Sequence, residues 1–470
     1  MQAWMLQVYP KTPVFVQKMG IAGFGWYWKR RRFGGVYEQE LKEITERERW
    51  SPELMESYVT TRLREQLLRA YDEVPFYRDA FSAAGLSRED LSGFTRADLG
   101  RLPILEKKNL RADSAIILTE EARRDLPATY CTSGTTGTPI KVFWNSKTHQ
   151  KNLAYREARS FRWAGVSYEG SRASLAMRPV VAASQATPPF WRYNPWEKQL
   201  YLSLFHVGPG TVESYVAEIN ERKPDAFTGF VSAWYELACL IRERGLKVWQ
   251  PKALITTSEQ LLPHMRETLE SVFGAPVFEE YGMVENCSLG TQCEYGKLHI
   301  SLDFGITEIV RADGSPTEPG EPGRVLLTGL ANDSQLFIRY DIGDQAAWDG
   351  EKCSCGRDAL PTFRELFGRE EDAVLLPDGR RTPRFDFLFK DLPGVMEAQV
   401  VQEKAAELRV KIVPSKTHTD ADYSTIRTRF AARIGGNMEL RFEIVPSIPR
   451  EKNGKFRPVV SSYAKTVARA

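Results

Sequence analysis

Between residues 211 and 281 short apolar stretches alternate with helical ones, and few folds accommodate that order. Val212, Tyr215, Val216 and Ile219 recur at helical spacing, Ala226 to Phe230 reads as extended, and Ser232 to Arg244 reads as a helix stopped by Gly245. Ala253 to Thr257 is again extended, Pro263 to Phe273 is helical before Gly274, and Pro276 to Glu280 is extended. Strands and helices in turn predict a mainly parallel sheet covered by helices, because parallel neighbours need a crossover. Ligands of such sheets sit beyond the carboxyl ends of the strands, so the loops at Ser258 and Tyr281 become candidate site loops.

After Gly368 the pattern changes. Strands are expected near Val395 to Val401, Leu408 to Val413 and Leu440 to Val445, with one helix near Asp420 to Ile434. This predicts a small α+β domain, preceded by a charged, turn-rich linker from Gly368 to Asp372. At 470 residues the chain exceeds one ordinary core. The expected division is a core domain over 1–368 and a mobile C-terminal domain over 369–470. Upstream, Ser51 as N-cap and Pro52 at the first helical position open a predicted helix with Leu54, Tyr58, Leu63, Leu67 and Tyr71 on one face. No repeat or low-complexity tract interrupts the chain.

Sixty-four basic against 61 acidic side chains leave a formal charge of +3, too even to hold nucleic acid by counterion release alone. The basic run Lys29 to Arg32 could rest on a membrane surface or an acidic partner, but reads more simply as a solvated basic turn. Met19 to Trp28 is an uncharged run of ten residues, about half a membrane span. With no ordered secretory signal in residues 1–30, a cytoplasmic location is expected. Six cysteines there suggest metal or catalytic roles rather than a disulfide framework.

Thr132, Ser133, Gly134, Thr135, Thr136, Gly137 and Thr138 form seven consecutive small hydroxyl or glycine residues between two apparent strands. Glycine lets backbone N–H groups approach an oxyanion and hydroxyls add donors, so the tract suits phosphate. A Thr/Gly-rich surface hairpin is the plainer alternative. A Walker loop is excluded: the nearest approach, Gly290 to Lys297, has the wrong spacing and is followed by Leu298.

The chain resembles the adenylate-forming superfamily of acyl-CoA synthetases, and within it the phenylacetate-CoA ligase family and its capsule-polysaccharide-linked branch. Beyond the Thr/Gly tract, the resemblance rests on Glu280-Tyr281-Gly282-Met283-Val284-Glu285, Arg339-Tyr340-Asp341-Ile342-Gly343-Asp344, Gly368-Arg369-Glu370-Glu371-Asp372, and Pro449-Arg450 to Asn453-Gly454-Lys455, in that order. It implies the adenylate-forming fold and attack of a small carboxylate, with aryl acids among the candidates, on the α-phosphorus of ATP, with acyl transfer to coenzyme A. Thr132 to Gly137 would surround the phosphates, with Thr136 catalytic, and Tyr281 would lie against adenine with Glu280, Gly282 and Met283 around it. Ser258 and Glu259 would line the adenine site, or simply cap the following helix. Glu285 would hold Mg²⁺. Asp344 and Arg369 would bind the ribose, Lys455 would stabilise charge during adenylation, and Glu371 would be the hinge that swings the small domain.

Cys293, His299, Cys353 and Cys355 flank the Glu285 and Asp344 motifs in two loose clusters. Spacing alone leaves buried free cysteines as an alternative; similarity to the capsule-linked branch favours one closed structural Zn²⁺ site, with Cys287 in reserve. Val284 departs from the family, whose members often carry a hydroxyl there, and Lys141 receives no catalytic role. Positions near Phe230 and Val231 would line an acid pocket or belong to the core. Transfer to an amine, a sugar or a carrier-protein thiol is the alternative to CoA, and a non-catalytic nucleotide-binding scaffold is the second alternative.

Overall fold

The computed structural model describes residues 8–9, 12–124, 128–132, 140–176, 178, 180–182, 185–369, 374–377, 381–382, 385–389, 392, 394–434, 438–450 and 456–463. Strands β1 (Ala128–Cys131) and β2 (Lys141–Trp144) form an antiparallel hairpin. A twelve-stranded sheet follows, built from β3 (Arg172–Leu175), β4 (Trp191–Asn194), β5 (Gln199–Leu202), β6 (Ala226–Phe230), β7 (Ala253–Thr257), β8 (Val277–Gly282), β9 (Leu289–Gln292), β10 (Leu298–Ile300), β11 (Gly305–Val310), β12 (Gly323–Gly329), β13 (Tyr340–Trp348) and β14 (Thr362–Arg369). Its order is β11-β12-β13-β14-β10-β9-β8-β7-β6-β3-β5-β4.

The parallel expectation holds where the sequence carried it: β5, β3, β6, β7 and β8 run parallel. Beyond β8 the sheet continues antiparallel through β9, β10, β14, β13, β12 and β11, and β4 closes the other edge antiparallel. The large domain is therefore a mixed α/β sheet with helices on its parallel half.

Alternation along the strands builds two cores. Phe227 and Leu254 face the helices Val212–Arg222, Val231–Arg244 and Pro263–Phe273, where Phe227 stacks on Trp234 with centroids 4.4 Å apart. Ala226, Ala253 and Ile255 face the helices Tyr37–Arg47 and Ser146–Tyr155. Phe230 and Val231 are buried in the first core. Beneath that second helical layer Asp303 accepts from Arg47 Nε at 2.8 Å and from both Arg159 terminal nitrogens at 2.8 and 3.0 Å.

The helix Pro52–Glu73 is capped by Ser51, whose side chain accepts from Leu54 N–H. Of the expected face Leu63 and Leu67 are buried and Tyr58 and Tyr71 pack partly buried on the same core, whereas Leu54 is exposed and Met55, Val59 and Ala70 point inward beside them. Lys29 to Arg32 likewise form the last turn of the helix Val14–Arg32 instead of a solvated turn, and Arg32 pairs with Glu197 at 2.9 Å.

The C-terminal unit holds β15 (Val374–Leu375), β16 (Arg381–Thr382), β17 (Val395–Lys404), β18 (Glu407–Pro414), β19 (Glu439–Ile444) and β20 (Val459–Ser461). Its four-stranded sheet, ordered β19-β18-β17-β20, packs Val400, Leu408, Val410 and Ile412 against Ile426 and Phe430 of the helix Asp420–Ile434. Between it and the large domain lies a cleft of about 610 Å³ lined by Tyr235, Arg242, His264, Met396 and Lys416. Among the described residues no helix is long and apolar enough to cross a membrane.

Candidate functional site

β8 is the last parallel strand, and the turn that follows it carries most of the motif residues. At its end the Tyr281 hydroxyl donates to Asp344 Oδ2 at 2.8 Å, joining β8 to β13 across 63 residues of sequence. The Tyr340 hydroxyl donates to Glu285 Oε1 at 3.3 Å, so the two motifs interlock twice. Glu285 and Asp344 are both buried, at 4% and 7% exposure, yet each retains an oxygen hydrogen-bonded to a phenol. Asn286 adopts φ +58°, a left-handed geometry that sharpens the turn, and its side-chain oxygen accepts from Asn152 at 2.7 Å.

The hydroxyl-rich tract falls in sequence between β1 and β2. Residues Ser133, Gly134, Thr135, Thr136, Gly137, Thr138 and Pro139 lie outside the described residues. Its base is fixed: Thr132 N–H donates to the Ile140 carbonyl at 3.0 Å and Ile140 N–H donates to the Thr132 hydroxyl at 3.0 Å. One strand along, Trp144 Nε1 donates to the Val284 carbonyl at 2.9 Å. The hairpin stem is thereby pinned to the turn between Tyr281 and Glu285.

Other expected residues have partners that the sequence did not disclose. Glu280 is buried and accepts from Arg156 Nε at 3.0 Å. Ser258 is exposed with φ +71°. Glu259 Oε2 accepts the Ser232 N–H at 2.8 Å and Oε1 the Ser232 hydroxyl at 3.0 Å, which caps the preceding helix, Val231–Arg244, rather than the following one. The same Oε1 accepts the Phe456 N–H at 2.8 Å from the C-terminal unit. Arg369 lies opposite Asp344 in the β13–β14 register, which brings the two chain positions together. Glu370, Glu371, Asp372 and Lys455 lie outside the described residues. Gly282 is exposed and Met283 half-buried beside Tyr281.

The second constellation closes up. The ligand atoms of Cys293, His299, Cys353 and Cys355 all lie within 4.8 Å of one another. Cys293 Sγ and Cys353 Sγ are 3.6 Å apart, and Cys355 Sγ is 3.3 Å from His299 Nε2. Tetrahedral zinc with bonds of about 2.3 Å to sulfur and 2.0–2.1 Å to nitrogen requires edges of roughly 3.5–3.8 Å, so the donor set fits that ion. His299 Nδ1 faces the Leu360 carbonyl at 2.9 Å, an outer contact that leaves Nε2 as the free lone pair. Burial holds the imidazole below its ordinary pKa, hence neutral. Cys287 does not join: its sulfur contacts the Glu285 carbonyl at 3.4 Å and burial pushes its thiol well up.

Tyr340 and Arg156 were missed as site residues. Tyr340 lies inside the Arg339–Asp344 motif and could have been read from it, whereas nothing local marks Arg156. Phe456 directly follows Lys455 and Trp144 lies six residues beyond Thr138, and only the fold shows their contacts.

The architecture is that of the adenylate-forming CoA ligases. A crystal structure of 2-hydroxyisobutyryl-CoA ligase, in the postadenylation state with an acyl-AMP, superposes with a TM-score of 0.70 at 22% identity, covering 88% of this chain and 91% of that one. More narrowly, residues 382–462 match the family described as the CapK C-terminal domain. Protein CapK of Staphylococcus aureus is 24% identical over 97% of this chain and 99% of its own length. Phenylacetate-coenzyme A ligase of Thermus thermophilus is 25% identical over 90% and 99%. The similarity to Protein CapK and to a phenylacetate-coenzyme A ligase thus extends over nearly the whole chain.

Proposed function

We propose that this protein activates a small carboxylic acid with ATP, releasing pyrophosphate, and passes the acyl group from AMP to coenzyme A. One observation carries the reading. The stem of a hydroxyl-rich loop, the turn Tyr281–Glu285 and the ribose-type carboxylate Asp344 are drawn together by Trp144–Val284, Tyr281–Asp344 and Tyr340–Glu285 at the carboxyl end of the parallel strands.

A carboxylate resists a thiol because its leaving group would be oxide and its charge repels the nucleophile. Adenylation removes both obstacles, and the catalyst's task is to neutralise charge on phosphate oxygens. Glu285 supplies a carboxylate suited to Mg²⁺, which when bound would shield the phosphates. Tyr340 orients that carboxylate. Asp344, steadied by Tyr281, offers acceptors for a diol, and Thr135, Thr136 and Lys455 supply the remaining donors. The C-terminal unit, residues 369–470 with its pivot at Glu371, carries Lys455 into and out of the site. The Cys293, His299, Cys353 and Cys355 set would hold a structural zinc ion, which when bound would tie the β9–β10 hairpin to the loop before β14.

The test is pyrophosphate release from ATP over aryl, fatty and amino acids, with and without CoA. CoA-dependent AMP release with at least one acid is expected. Release that ignores CoA but responds to an amine or a sugar would move the acceptor, and nucleotide binding with no release for any acid would refute the enzyme.

A further inference from the structure

Of thirteen exposed large hydrophobic side chains among the described residues, seven lie between Val8 and Tyr27. Among the described residues the helix Val14–Arg32 is fastened to the protein along one side. There the Gln17 side-chain oxygen accepts from Arg192 Nε at 3.0 Å, Gly25 rests on Asn194 so closely that a Cβ would come within 2.1 Å, and Arg32 pairs with Glu197. Phe15, Met19, Trp26 and Arg30 follow one another by steps of four, seven and four residues, which return to a single outer face. Phe15, Met19 and Trp26 are 66%, 70% and 46% exposed, and the Arg30 guanidinium lies 5.0 Å from the Trp26 ring.

An exposed apolar helix face normally has a cover. Charge says what covers this one. No Asp or Glu precedes Glu38, whereas six Lys and Arg do. Arg32 is used by Glu197, and Lys18, Lys29 and Arg30 remain exposed on or beside the outer face. A second copy would bring the same positive charge against itself, since a two-fold interface repeats one patch. Anionic lipid provides phosphates at the rim and acyl chains beneath, and Trp and Tyr favour that boundary.

We propose that the outer face of the helix Val14–Arg32 seats this protein on an anionic bilayer surface. Phe15, Met19 and Trp26 enter the acyl boundary while Lys18, Lys29 and Arg30 meet lipid phosphates. The helix lies on the membrane and does not span it.

Co-sedimentation of the full chain with phosphatidylcholine vesicles, with and without phosphatidylglycerol, tests this. Binding should require phosphatidylglycerol and weaken as salt rises. Lys29→Gln with Arg30→Gln should lower partitioning roughly 25-fold, about fivefold per basic residue. Phe15→Ser with Met19→Ser should abolish attachment. Both pairs should leave the thermal transition unchanged, which separates lost docking from lost folding. No binding to either vesicle, equal binding to both, or a concentration-dependent dimer abolished by the Phe15/Met19 pair would overturn the proposal.

Discussion

Glu259 holds two parts of the chain with one carboxylate, and replacing it by glutamine separates two consequences. Its oxygens accept the Ser232 N–H at 2.8 Å, the Ser232 hydroxyl at 3.0 Å and the Phe456 N–H at 2.8 Å. Glutamine keeps one acceptor oxygen and places an NH₂ where the other stood, so one of the two backbone N–H groups must face a donor. Leaving such a group unpaired costs about 1–3 kcal/mol. Ser232 is buried at the start of a helix and cannot be rehydrated without opening the core. Phe456 can be: its N–H regains water if the C-terminal unit undocks. The penalty therefore falls on docking, and about 1.5 kcal/mol lowers the docked-to-undocked ratio roughly tenfold. Under the proposed reaction Lys455, the neighbour of Phe456, is needed for adenylation. Single-turnover pyrophosphate formation by Glu259→Gln should fall by about that factor, while Ser232→Ala, which retains the Phe456 contact, should fall much less. Pyrophosphate formation at the parent rate would refute the reasoning. So would a slowed rate accompanied by an equally lowered thermal transition, because the cap alone would then explain the loss.

Lys455→Ala should slow the first half-reaction roughly a hundredfold or more, the usual cost of one preorganised donor, about 2.7–4 kcal/mol, measured as pyrophosphate exchange. Trp144→Phe keeps an aromatic, though smaller, side chain but removes the bond to the Val284 carbonyl; about tenfold slower adenylation, out of proportion to any change in melting temperature, is expected if that bond positions the loop stem. Purified without chelator, the protein should carry near one equivalent of zinc by metal analysis, and Cys355→Ala should lose it together with thermal stability, since structural sites bind with about 10 kcal/mol or more. The junction should also respond to pH. Burial raises the carboxyl pKa values of Glu236 and Glu397, with Arg450 opposing. A raised carboxyl pKa means the docked form binds its proton more tightly, so docking is strongest at acidic pH and weakens as pH rises through the raised values. Small-angle scattering should show expansion over that range, and Glu236→Gln should flatten it.

The alternation of helices and strands was legible because the segment 211–281 is buried on both faces and each element carries its own stop signal, as Gly245 and Gly274 do at φ +61°. The antiparallel continuation was not, since β9 to β14 are joined by turns whose order in the sheet, with β14 inserted between β10 and β13, depends on the pairing of residues as far apart as Leu298 and Phe363. The shift of the buried stripe from Leu54 to Met55 has a similar cause: both residues fit a helical period, and only the neighbour decides which is covered. In the site, Tyr281, Glu285 and Asp344 could be named from their motifs. Arg156 could not, because its carboxylate partner is 124 residues away. Glu259 was expected at the adenine site or as a helix cap; its contacts to the start of the helix Val231–Arg244 and to the C-terminal unit have no local signal, because their partners lie 27 and 197 residues away.

The place where parallel pairing stops explains why one short turn gathers so much. A parallel successor to β8 would have required a helix after Gly282, carrying Val284 and Glu285 off along the sheet face. Antiparallel return through β9 keeps residues 283–288 in a tight turn at the strand ends, with Asn286 in the left-handed region. That turn then faces the β1–β2 hairpin on one side and the start of β13 on the other, and its backbone carbonyls as well as its side chains become contacts. Val284 shows the consequence. It lacks a hydroxyl, yet its carbonyl receives Trp144, so the position still fixes the hairpin stem whatever its side chain offers to phosphate. Substitutions at 284 should therefore act through donor chemistry alone, and those at 144 through the placement of the whole loop.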